Sequence, residues 1–260
     1  MRGRALVTGA GKRIGRALAL YLAGRGCDVA VHYATAQAEA EATVTQLRGL
    51  GIEAAALQAD LLDETAAQAL IGRAAQALGG PLSLLVNNAS IFEHDDITSM
   101  TRTSWDRHLE SNLRAPVVLS QGFAAQAPRA VMDEDGEPRA RAAIVNIIDQ
   151  RVRKLTPEFM SYTIAKAGLW TFTQTAAQAL APDIRVNAIG PGPTVQGVRQ
   201  SAEHFARQRA ATVLGRGAGP DDIAAALGYL MDAPAVTGQM ICVDGGQHLS
   251  WRTPDVLGVE

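Results

Sequence analysis

The chain alternates short apolar runs with longer stretches in which apolar residues recur every three or four positions. Arg4–Thr8 reads as a short buried strand, followed by Gly9-Ala10-Gly11 and an apolar-periodic helix over Arg13–Arg25. Asp28–Tyr33, Glu53–Gln58 and Leu82–Val86 repeat the strand signal, with helices expected over Ala36–Leu50 and Asp63–Leu78. The pattern continues with a helix near Thr101–Ala127 and a strand over Ala142–Ile148. Next come a helix opened by Thr156-Pro157 and running to Leu180, and a strand over Ile184–Ala188. Pro suits a first helical turn, where its missing N–H costs nothing. A helix near Asp221–Met231 and a strand over Gln239–Val243 close the series. Strict alternation with short Gly-rich joints predicts parallel strands and right-handed crossovers. The expected class is α/β, a Rossmann-type doubly wound parallel sheet of about seven strands, in one domain over residues 1–260.

Two stretches interrupt the pattern. The polar segment 128–141, with Asp135-Gly136 as a turn signal, reads as a surface hairpin or loop. Residues 191–214 form a long irregular connection, and such loops over the carboxyl edge of a parallel sheet are usually functional. Composition narrows the class further. A hydrophobic fraction of 47% with 19% charged residues supports a sizeable core and argues against disorder. The net charge of −2 gives no reason to expect nucleic acid or an anionic membrane surface. Cys27 and Cys242 lie far apart in or beside apolar runs and read as small core residues rather than a disulfide. With no signal-peptide pattern and no long apolar span, the expectation is a soluble, cytoplasmic protein. No metal site is expected.

The chemistry gathers at three places. Tyr162 and Lys166, four residues apart on one helix, share a face, and Asp149 ends the strand before them. A phenol can pass a proton to a developing anion, and a nearby ammonium is expected to lower its pKa from about 10. Asp149 could supply a proton, and burial would help it keep one; capping, or a loop salt bridge with Arg151 or Arg153, is the alternative reading. The turn Thr8–Gly15 joins a strand to a helix, so its glycines and the helix N-terminus suit a pyrophosphate. The second strand ends in His32-Tyr33-Ala34-Thr35, with no acid until Glu39 to hold an adenosine 2′-hydroxyl. Lys12 and Arg13 add two cations suited to an extra phosphate, which favours NADP(H); a solvated loop charge is the other reading of Lys12.

With these pieces assembled, the chain resembles the short-chain dehydrogenase/reductase family over essentially its whole length. The matching motifs are Thr8–Gly15, Asp60-Leu61, Asn87-Asn88-Ala89, Asn112, Tyr162 to Lys166, Pro191-Gly192 and Asp244-Gly245-Gly246. The resemblance implies a cofactor site of Gly9, Lys12, Arg13, Ile14, Gly15, His32, Tyr33, Thr35, Asp60, Leu61, Asn88, Ala89, Pro191 and Gly192, with Tyr162 as the acid and Lys166 on the nicotinamide ribose. Asp60 would touch the adenine, and Asn112 would hold a water in a proton relay. Two departures stand out: Asp149 replaces the usual Ser, and Arg13 stands where the family has a Gly. Both look like the pteridine reductase branch, which also carries Asn-Asn-Ala-Ser followed by a Phe, here Asn87 to Phe92. That likeness implies that Phe92 stacks on a pterin-like heterocycle, while Ser90 and Arg13 meet its polar edge and Asp149 and Tyr162 protonate it. The resemblance also implies a homotetramer, and the apolar tail Leu249-Ser250-Trp251 suits a buried contact in one, with packing on its own subunit as the alternative. Core packing of Phe92, a general reductase of ketones, quinones or imines, and a non-catalytic NADP(H)-binding protein are the competing readings.

Overall fold

The structure, a computed structural model, describes residues 3–197 and 200–253. Seven strands, all parallel, form one sheet: β1 (Arg4–Val7), β2 (Asp28–Tyr33), β3 (Ala54–Gln58), β4 (Leu84–Asn87), β7 (Ala142–Ile147), β8 (Ile184–Pro191) and β9 (Met240–Val243). Their order across the sheet is β3-β2-β1-β4-β7-β8-β9. The chain winds outward in one direction from β1 and then in the other from β4. This reversal leaves a crevice at the carboxyl ends of β1 and β4, where ligands bind in open α/β sheets.

Strand residues alternate between two buried faces, as a sheet covered on both sides requires. Val7, Val31, Val86 and Val145 face the helices α1 (Arg13–Gly24), α2 (Gln37–Gly49) and α8 (Pro220–Asp232), packing on Leu18, Leu22, Leu47 and Leu227. Their neighbours Leu6, Leu85, Ile144 and Val186 face the other way. There they meet Leu70 of α3 (Glu64–Ala77), Leu119 and Phe123 of α5 (Ala115–Gln126) and Ala176 of α6 (Met160–Leu180).

The structure differs from the sequence expectation in four places. The helix expected over 101–127 is present over 102–126 but is not regular throughout. A regular α4 (Arg102–Leu109), opened by a capping box of Thr101 and Ser104, passes into a π-helical turn over Glu110–Arg114 before α5 begins. Helix α6 starts at Met160, because Thr156-Pro157-Glu158 forms a bend and Phe159 turns the chain inward at a left-handed φ of 56°. Strand β8 continues past Ala188 to Pro191, since Ile189, Gly190 and Pro191 pair with β9. The 191–214 connection contains a helix, α7 (Ala202–Ala210), capped by Ser201 accepting from the His204 N–H. The 128–141 segment forms a short antiparallel hairpin, β5 (Val131–Met132) with β6 (Pro138–Arg139). Leu249 and Trp251 are exposed in the single chain rather than packed on it.

Candidate active site

The loops after β1 and β4 are tied to each other. The Thr8 hydroxyl accepts from the N–H groups of Asn88 and Ala89, both at 2.9 Å, and Asn88 Nδ2 donates back to Thr8 O at 2.8 Å. Gly9 sits at φ +63°, and a Cβ there would come 3.1 Å from Ala89 Cα. A Cβ on Gly15 would come 2.6 Å from Asn88 Nδ2 and also strike the Gly9 carbonyl. Only glycine fits either place. Helix α1 follows with no side-chain cap on its first N–H groups and no acid in its first turn, which suits an anion at that end. A cavity of about 370 Å³ lies there, walled by Gly9, Lys12, Arg13, Ile14, Gly15, His32, Tyr33, Thr35, Asn88 and Ala89 among others.

Several of these residues act differently from expectation. His32 is buried, and its ring faces the protein: Nδ1 accepts from the Gly9 N–H at 3.1 Å and Nε2 bonds Ala59 O at 3.0 Å. Burial holds its pKa down to about 4, so the ring is neutral and serves as a strut under the turn. Lys12 lies 3.9 Å from Glu39, both mostly exposed, so the acid that is distant in sequence faces the cavity's cation. Asp60 and Leu61 do not line this cavity. Asp60 closes a local turn by accepting from the Leu62 N–H, and Leu61 is buried in the core under α3.

Arg13 occupies a left-handed backbone conformation, φ 56°, where the family pattern has glycine. Its guanidinium donates to Gln196 O at 2.7 Å and Val195 O at 3.0 Å, joining the nucleotide turn to the loop after β8. Pro191 and Gly192 line the adjoining cavity, and a Cβ on Gly192 would meet Asp244 Cβ at 2.6 Å.

That adjoining cavity, about 300 Å³, is where the expected catalytic residues meet. The Tyr162 hydroxyl donates to Asp149 Oδ2 at 2.9 Å, while Asp149 Oδ1 accepts from the Arg151 N–H at 2.8 Å. Asp149 therefore caps the short 3-10 turn Gln150–Val152 and also holds the phenol. Lys166, buried, donates Nζ to Ile147 O at 2.9 Å and lies 5.9 Å from the Tyr162 ring centre. Burial pushes the Asp149 carboxyl above its ordinary range and lowers Lys166 to about 8. Tyr162 is raised well above 10, first by burial and then by the Asp149 carboxylate. The expected lowering of Tyr162 by Lys166 is not seen, because burial raises the phenol first and the Asp149 carboxylate, its direct partner, adds to that. The Tyr162 phenol thus keeps its proton at neutral pH.

Phe92 lines the same cavity and is 45% exposed, not core. It stacks on Phe159, ring centres 4.2 Å apart and planes within 8°, and meets the Tyr162 ring edge-on at 4.7 Å. Ser90 stands beside them on the cavity wall. Asn112 is buried in the π-helical turn and does not reach the cavity. Its side chain pairs with both backbone groups of Ile91, each at 2.8 Å, and so fixes the loop that carries Ser90 and Phe92. Sequence reasoning missed Phe159, Gln200 and Gln247, and considered Arg151 only as an ion-pair partner of Asp149. Arg151 lies 5.1 Å over the Phe159 ring, and Arg151, Gln200 and Gln247 line the cavity. An outer chamber of about 940 Å³, sharing Arg13, Ser90, Phe92 and Arg151, opens beyond it. Among the described residues no cluster could hold a metal ion, and no helix is long and apolar enough to cross a membrane.

Comparison with known proteins places this geometry among others. A family model described as Enoyl-(Acyl carrier protein) reductase matches residues 9–248. A 3-oxoacyl-[acyl-carrier-protein] reductase FabG of Staphylococcus aureus is 32% identical over 254 residues, 96% of this chain and 99% of the relative. FolM alternative dihydrofolate reductase 1 from Brucella canis, solved with NADP, superimposes with a TM-score of 0.90 at 42% identity, over 98% of this chain and 97% of that one. A short-chain dehydrogenase from Burkholderia cenocepacia, also solved with NADP, gives 0.85 at 32% identity, over 94% and 97%.

Proposed function

Since the chain belongs to the short-chain dehydrogenase/reductase family, we propose that it reduces a dihydropterin-like heterocycle with NADPH. The cofactor is NADP(H), and the glycine cradle, the uncapped start of α1 and Lys12 suit its phosphates. When bound, NADPH supplies a hydride to an electrophilic ring carbon. The remaining work falls to the chain. Reducing a ring C=N requires a proton at nitrogen as hydride reaches carbon, and the Asp149–Tyr162 pair holds such a proton at the cavity wall. Lys166, tied to Ile147 O, keeps a buried positive charge near that pair and suits the nicotinamide ribose. Phe92, braced by Phe159, offers an aromatic wall, and Ser90 and Arg13 offer polar groups at its rim.

The observation that carries this reading is the 2.9 Å bond from Tyr162 to Asp149 beside the stacked Phe92 and Phe159. A simple ketone needs neither an acidic partner for the tyrosine nor a stacking wall. NADPH oxidation over a panel of dihydropterins, quinones and keto esters tests it. Dihydropterins should turn over fastest; turnover of keto esters with none of any dihydropterin would replace the reading with a general carbonyl reductase. NADPH should also be preferred to NADH, and replacing Lys12 should weaken NADPH far more than NADH. We further propose a homotetramer, in which the exposed Leu249 and Trp251 are covered.

A further inference from the structure

Helix α6, which carries both Tyr162 and Lys166, has no cap of its own. Its leading residue, Phe159, is left-handed and makes no side-chain hydrogen bond to the first turn. The missing acceptor comes from elsewhere in the chain. Asp95, in the loop after β4, accepts from the Ser161 N–H at 3.1 Å through Oδ1 and from the Ser161 hydroxyl through Oδ2. Behind Ser161 stands His108 of α4, with Nδ1 2.6 Å from Ser161 Oγ. The other ring nitrogen, Nε2, accepts from the Glu93 N–H at 3.1 Å. The accepting Nε2 fixes the tautomer: Nδ1–H donates to Ser161 Oγ, whose own hydrogen goes to the Asp95 carboxylate. Asp95, His108 and Ser161 are at most 1% exposed. The three groups satisfy one another in a directional chain, away from solvent.

We propose that Asp95, Ser161 and His108 are positioning residues for catalysis: a brace that sets Tyr162 against the loop bearing Ser90 and Phe92. The geometry leaves each end of the brace one step from the site. Ser161 precedes Tyr162, and the His108 ring lies edge-on to the Tyr162 ring at 6.0 Å. Asp95 and the Glu93 N–H belong to the loop that places Phe92 on Phe159. Without the brace the first turn of α6 loses its acceptor, and Tyr162 and Phe92 lose their common reference. Buried polar networks of this kind specify one arrangement when every member is satisfied. Neither catalytic lysine nor nucleotide turn touches it, so the cofactor site stands apart.

The inference rests on Tyr162 serving as the acid in the proposed reduction, and it holds for whichever substrate of the panel the wild type turns over. The test compares Asp95→Ala and Ser161→Ala with wild type by steady-state kinetics, NADPH binding by fluorescence, and thermal melting. The expected result is a fall in kcat of tenfold or more with a several-fold rise in substrate KM, while the NADPH Kd stays within twofold. The double variant should lose little beyond the worse single variant, because the two act through one chain of bonds. If Asp95→Ala does not fold, Ser161→Ala decides alone, since it keeps the N–H cap and removes only the hydroxyl link. A lowered melting temperature with kcat and KM unchanged within twofold would overturn the proposal, leaving a purely structural brace. Equal losses of NADPH binding and turnover would overturn it too. A wild type that reduces ketones and no dihydropterin would sink the pterin reading and leave this test intact.

Discussion

His32 shows what one ring can fix at the residue scale. It must stay neutral for Nδ1 to accept from Gly9, and burial lowers its pKa from 6.5 to about 4. The unfolded chain takes up a proton near pH 6.5 and the folded chain only near pH 4. Stability therefore falls as pH drops through that window, by up to about 3 kcal/mol at its acid end. Calorimetric melts between pH 7.5 and 4.5 should show the decline, while the ring of the folded protein stays neutral and keeps its bond to the nucleotide turn; His32→Gln should flatten the slope. Asp149 gives a second prediction at this scale. Asp149→Ser keeps a hydrogen-bonding group beside Tyr162 but removes the acid. Dihydropterin turnover should fall by about 10²-fold, with small keto esters unaffected or improved; equal losses on both would reject a special role for the carboxyl. At this scale the sequence was most informative where spacing alone fixes proximity, as for Tyr162 and Lys166. It was least informative where a side chain turns away from its motif, as His32 and Leu61 do.

Elements tell a similar story. The alternation of strands and helices, and the sheet's parallel character, followed from apolar periodicity and Gly-rich joints. The start of α6 did not, because Pro157 signals a helix that the left-handed Phe159 delays by three residues. What opens the helix is Asp95, 66 residues upstream of Ser161, and no local pattern announces such a contact. The π-helical turn over Glu110–Arg114 was equally hidden. It places Asn112 against the Ile91 backbone, a long-range bond that a smooth helical period conceals. Phe159 then becomes a working part of the site. Phe159→Ala should deprive Phe92 of its stacking partner and raise KM for dihydropterins about two- to twelvefold, as loss of roughly 0.5–1.5 kcal/mol implies. A KM unchanged in steady-state assays would show that Phe92 holds its place alone.

At the scale of the whole molecule, the strand order brings residues from all parts of the chain to one sheet edge. The chain concentrates strain and buried charge there as well. Lys166 is 2% exposed and its pKa is lowered from 10.5 to about 8. Its charged form is therefore disfavoured on folding; the cost is fully present below pH 8 and is relieved as pH rises toward 10.5. Lys166→Met should be inactive yet at least as heat-stable as wild type at pH 7, measured by calorimetry on the cofactor-free protein. A clear drop in melting temperature would mean that the bond to Ile147 O outweighs the burial of charge. Assembly is tested separately: light scattering should give about four times the chain mass of 27.4 kDa, and the monomer mass would end that proposal.

The bridge formed by Arg13 has a thermodynamic corollary. One side chain spans from the nucleotide turn to the carbonyls of Val195 and Gln196, so neither ligand can shift its wall without involving the other. Whatever factor NADPH lends to substrate affinity, substrate must lend to NADPH, typically 5- to 150-fold in coupled sites. Arg13→Gly removes the bridge and at the same time relieves a left-handed backbone that costs a side-chain-bearing residue about 1–2 kcal/mol. The variant should melt higher and bind NADPH and substrate independently, the ratio of affinities falling to one in paired titrations. A variant that melts no higher, or that keeps the wild-type coupling in those titrations, would show that the bridge does not join the two sites.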